Sequence, residues 1–182
     1  MNLIEHREAS FISTKDIIDR FKNQQTIGHR EFLDAFDKIV IEQRFENNTN
    51  GFEKAQSSEL FDSKDFLTIR NLIRDYKKVV DDVKFREYRQ NSSSEIMEAE
   101  LLRNGFYDNA WTYFRSYYRP EEFDLEKENI NFSEEINRFG EVKAIFMRSE
   151  WATPAILNDY QTIISIGDKL KMEIDKYLNI DY

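Results

Sequence analysis

Two tripeptides repeat along the chain, His6-Arg7-Glu8 and His29-Arg30-Glu31, and they hold its only two histidines. Imidazole beside carboxylate is the raw material of a metal centre or an acid–base pair. On a helix, positions i and i+2 point about 200° apart, so neither tripeptide can chelate alone. A site would need the fold to bring His6 and His29 together. That is the enzyme-class reading, a metal-dependent hydrolase using histidine and carboxylates. Neither HExxH nor the Glu-x-x-His pair of di-iron bundles occurs. The plainer expectation is two exposed histidines on charged helix ends.

The other candidates for chemistry are sparse. Glu95 and Glu98 share a helical face at i, i+3, and Glu100 points elsewhere. Acid–base work needs carboxylates that are desolvated and pushed apart in acidity. A run among polar residues offers no such environment, so a solvated face is expected. The five glycines are scattered and form no phosphate-cradling loop. No strained nucleophile elbow is present. With no Cys, thiolate catalysis, disulfides and Cys-ligated zinc are excluded. No catalytic residue and no cofactor are expected.

The segment Phe106 to Arg119 is richer. It reads as an aromatic helix beginning after Gly105 and stopping before Pro120. One row holds Phe106, Ala110, Tyr113 and Tyr117. The other holds Tyr107, Trp111, Phe114 and Tyr118. Together they cover about 160° of the helix, the sorting of a core-packed element. Trp111 and Phe114 should face inward. Its margin is the candidate contact surface: Tyr113, Arg115, Tyr117, Tyr118 and Arg119. Tyr and Arg supply rigid area with a polar tip and are enriched at binding hot spots. After Pro120 comes an acidic strip, Glu121, Glu122, Asp124, Glu126 and Glu128, interrupted by Lys127. Such a strip could occupy a basic groove, although a solvated connector over 120–132 is the plainer expectation.

The elements that must position these residues are helical. Hydrophobic residues recur at three and four almost everywhere, and no run alternates with period two. Ser13 with Asp16 predicts a helix start, with Ile17, Ile18 and Phe21 inward. A second helix follows Gly28, carrying Phe32, Leu33, Phe36, Ile39, Val40 and Phe45. Asn47 to Gly51 reads as a loop. From Ser63, the residues Phe66, Ile69, Ile73, Tyr76, Val80 and Val83 make a heptad seam ending near Asn91. Ser92 to Glu95 reads as a polar joint and a capping box, followed by a short helix to Gly105, a natural C′ residue. Ser133 caps a helix bearing Ile136, Phe139, Val142 and Phe146. Thr153-Pro154 predicts the start of the last helix, carrying Ile156, Tyr160, Ile163, Gly167, Leu170, Ile174 and Tyr177. Gly167 would admit a close helix partner there, or is simply a weak point.

The expected fold is therefore all-α. It is an irregular bundle of about six to seven helices, with two long heptad-like helices, about 63–90 and 154–179, as its spine. The chain reads as one helical domain, 1–182, with an N-terminal subregion 1–50. Its net charge of −9 is uneven, because residues 121–182 carry 7 basic and 14 acidic groups. Direct nucleic-acid binding through a broad basic face is disfavoured. No signal peptide is evident, and no apolar run approaches the roughly 20 residues of a spanning helix. Cytoplasm is the default and no membrane contact is expected.

A small, acidic, helical, Cys-free chain without catalytic motifs resembles in profile many proteins of phages and mobile elements, including inhibitors of bacterial defence nucleases. The resulting expectation is a non-enzymatic binding protein whose partner is a basic, nucleic-acid-handling protein. The alternative is a structural or oligomeric scaffold, in which the heptad seams at 66–83 and 156–177 join protomers.

Overall fold

The computed structural model describes residues 3–41, 44–46, 50–57, 59–105, 118–119 and 137–178. Among them the chain forms five α-helices and no strand. These are α1 (Leu3–Lys22), α2 (His29–Val40), α3 (Asn50–Gln56), α4 (Leu67–Arg103) and α5 (Gly140–Tyr177). Two 3-10 turns, Glu59–Asp62 and Lys64–Phe66, precede α4. The all-α expectation holds. No helix among the described residues is long and apolar enough to cross a membrane.

Several helix boundaries differ from expectation, each for a physical reason. α1 runs straight through Ser13 and Thr14, which face α2 or the interior and do not cap. Thr14 is fully buried, and the Ser13 hydroxyl accepts from Lys38 Nζ at 3.4 Å. Asn50 and Gly51, expected in a loop, open α3. Ser63 precedes a 3-10 turn without a side-chain cap bond, so α4 begins later, at Leu67. α4 then continues through Ser92 to Ser94, where a joint was expected. Ser94 is 6% exposed, so packing overrides the local capping preference. Pro154 lies inside α5 and does not start it. The helix tolerates the missing N–H and the unmet carbonyl of Glu150. At the end of α4, Gly105 has φ 78 and its N–H reaches Leu102 O at 3.3 Å, as the C′ expectation requires.

The chain divides into two compact units. Unit 1 comprises Met1–Gln43 and Tyr88–Pro154, and unit 2 comprises Arg44–Glu87 and Ala155–Tyr182.

Unit 1 is organised by α2. Its residues Phe32, Leu33, Phe36 and Ile39 recur at helical spacing and are all buried. They pack with Ile17 and Ile18 of α1, Leu101 of α4, and Val142, Ile145 and Phe146 of α5. Phe146 is the aromatic hub. Its ring lies 5.4 Å from Phe32 and 6.3 Å from Phe36, and Phe21 meets it edge-on at 6.2 Å. α1 and α2 form an antiparallel hairpin, because Arg20 pairs with Glu31 at 2.7 Å while Ser10 donates to Lys38 O at 3.3 Å. The turn between them carries Gln24 at φ 53, with Gln25 N bonded to Arg20 O and Gln24 N to Phe21 O. This is the helix-terminating 6→1 and 5→2 pattern, built here on a residue other than Gly.

Unit 2 gathers Ile69, Ile73 and Leu170, with Phe52, Phe61, Phe66, Leu72 and Ile174 packed against them. Val80, Val83, Ile156, Tyr160 and Ile163 are buried as well. Most of both heptad seams is therefore consumed inside the chain. Among the described residues, a Cβ at Gly167 would meet nothing within 4 Å, so no described helix of this chain approaches there.

Candidate protein-binding surface

The hairpin places the two histidines far apart. With Arg20 level with Glu31, His29 stands level with the end of α1, and His6 lies near its start. Roughly sixteen residues of helix separate the two levels, about 24 Å along the axis. His6 is half-buried, not exposed as expected, and its Nε2 is buried with no hydrogen-bond partner among the described residues. Among the described residues no group of three His, Asp or Glu stands close enough to hold a metal ion. Glu95 is exposed, Glu98 is half-buried and Glu100 pairs with Arg103.

Of the sequence-derived contact residues, the structure describes Tyr118 and Arg119. Tyr113, Arg115, Tyr117, Glu121, Glu122, Asp124, Glu126 and Glu128 lie outside the described residues. Tyr118 is 61% exposed, and Arg119 is exposed too. The hydroxyl of Tyr118 donates to Asp37 Oδ1 at 2.8 Å. α2 thus holds the phenol by its polar tip, and most of the side chain remains exposed. Ile41, one turn beyond Asp37, is 45% exposed and caps α2 in an extended conformation. Its N–H reaches back to Asp37 O at 3.0 Å. Asp37 and Ile41 therefore present a carboxylate and an apolar side chain to one side of α2, at the place where Tyr118 is tethered.

Three buried polar groups escaped the sequence reading. Glu87 is 2% exposed and accepts two donors, the Phe45 backbone N–H at 2.7 Å and the Tyr160 hydroxyl. The rings of Phe45 and Tyr160 lie 6.0 Å apart. Arg7 and Gln90 are 5% and 3% exposed, and Arg7 Nη1 donates to Gln90 Oε1 at 3.3 Å. The signal was present in the spacing. Beyond Val83 the seam continues as Glu87, Gln90, Ser94, Met97 and Leu101, in steps of four, three, four, three and four.

A pocket of about 460 Å³ opens at the end of α1, lined by residues including Phe21, Gln24, Gln25, Ile27 and Asn137. Arg20 borders it, but its guanidinium is engaged by Asp16 at 3.0 Å and Glu31 at 2.7 Å. Among the described residues, the cavity therefore has no unneutralised cation to attract an anion.

Compared with known proteins, the chain matches no family model, no curated protein and no solved structure.

Proposed function

We propose that this chain is a non-enzymatic, acidic helical protein that acts by protein–protein contact. It antagonises a basic, nucleic-acid-handling protein by occlusion, in the manner of phage or mobile-element anti-defence proteins. The observation that carries the reading is Tyr118, an exposed aromatic ring pinned by its hydroxyl to Asp37. A tethered ring loses little freedom on binding, and preorganisation of this kind favours affinity. The charge distribution supports a basic partner, because the strip that follows Arg119 in sequence is the most acidic stretch of the chain.

The test is affinity capture with the intact chain as bait, followed by mass spectrometry. A basic nucleic-acid-handling protein should be retained, and Tyr118→Ala combined with Arg119→Ala should release it. Retention of that protein by the double variant at unchanged affinity refutes the reading.

A further inference from the structure

Asp37 differs from its neighbours on the hairpin. Asp34, one turn earlier, is held by Lys38 at 2.5 Å, and Asp16 and Asp19 on α1 pair with Arg20 and Lys22. Asp37 has no cationic partner among the described residues. Its one described side-chain contact is the neutral phenol of Tyr118 on Oδ1. The carboxylate thus lies beside an exposed ring with no described cation against it.

We infer that Asp37 and Tyr118 form a seat for an arginine or lysine side chain of the basic partner. The inference rests on the protein-binding reading above and names the chemistry of that contact. A guanidinium bonds a carboxylate through its fork while stacking on an aromatic face. Asp37 Oδ2 supplies the acceptor and the Tyr118 ring supplies the face. The exposed side chain of Ile41, one turn along α2, offers apolar surface to the aliphatic stem of the incoming residue. The Tyr118 hydroxyl acts as a positioning group, since its bond to Oδ1 keeps ring and carboxylate together.

The probe is a nona-arginine peptide titrated into the full chain at about 0.15 M salt, where diffuse surface attraction is damped within about 8 Å. Asp168→Asn removes the same charge from an exposed position on α5 and serves as the control for net charge. Asp37→Asn should weaken binding about five-fold or more, against less than about two-fold for Asp168→Asn. Tyr118→Leu should weaken it comparably. Tyr118→Phe, which keeps the ring and loses the tether, should weaken it by less than Tyr118→Leu but measurably. Equal effects of Asp37→Asn and Asp168→Asn overturn the seat, as does wild-type affinity in Tyr118→Leu. If the seat fails while the Tyr118→Ala, Arg119→Ala variant still releases the captured partner, the protein-binding reading survives without it. Failure of the wild type to bind the peptide overturns the seat as well. Helical circular dichroism of each variant shows that the fold is retained.

Discussion

The Tyr118 hydroxyl and the Asp37 carboxylate, 81 positions apart in the chain, meet at 2.8 Å. The bond is partly exposed, so water competes for both groups and its net contribution is small. Tyr118→Phe should cost about 1 kcal/mol or less in urea unfolding. A double-mutant cycle with Asp37→Ala, which removes the acceptor, should give a coupling of about 0.5–1 kcal/mol. Strict additivity of the two single variants would show that the tether does not exist in solution.

Glu87 stands in the opposite regime. It is buried together with the Tyr160 hydroxyl, while its bond from the Phe45 N–H is part-buried. Glu87→Ala leaves the Phe45 N–H and the Tyr160 hydroxyl without an acceptor and should cost about 2–4 kcal/mol. Glu87→Gln keeps the shape but turns one acceptor into a donor, so about half that loss is expected. Tyr160→Phe removes a single donor and should be the mildest of the three. Thermal unfolding of the three variants measures the order. A Gln variant at least as damaging as the Ala variant would refute the assigned contacts.

Gly167 gives a gain in place of a loss. It lies inside α5 with open space where a side chain would stand. Gly167→Ala should stabilise by about 0.5–1 kcal/mol, because alanine loses less backbone freedom and meets no clash. A lowered melting temperature would mean that a partner packs closely against this face after all.

The helical periods were legible and the helix ends were not. Phe32, Leu33, Phe36 and Ile39 repeat the spacing that buries them, and Gly105 announces the end of α4 by the φ only glycine adopts freely. The ends near 91 and 154 were misplaced because the buried seam turns polar there. On α4 it passes through Glu87, Gln90 and Ser94, and on α5 through Ser149 and Thr153, whose hydroxyls lie 3.4 Å apart. A period built on apolar residues alone stops where these begin. Ser92 and Thr153-Pro154 then look like caps, since local sequence carries no record of the packing that overrides them. One half of the candidate site was legible as a residue type. Tyr118 follows from its place on an aromatic margin, whereas Asp37 does not, because nothing in its own neighbourhood marks it as the acceptor for a residue 81 positions away.

Tyr76 makes the alkaline limb of stability testable. Its ring packs 5.1 Å from Phe52, and burial raises the phenol above its ordinary 10.0 by penalising the phenolate. A raised folded-state value means that, above about pH 10, the unfolded chain loses this proton before the folded one does. The contribution is fully present below that pH and is lost as pH climbs through the folded value. Stability should therefore fall above pH 10 more steeply in the wild type than in Tyr76→Phe, with the two curves parallel at neutral pH. Urea midpoints collected from about pH 8 to 11 measure this difference. Identical slopes above pH 10 would place the Tyr76 hydroxyl in water.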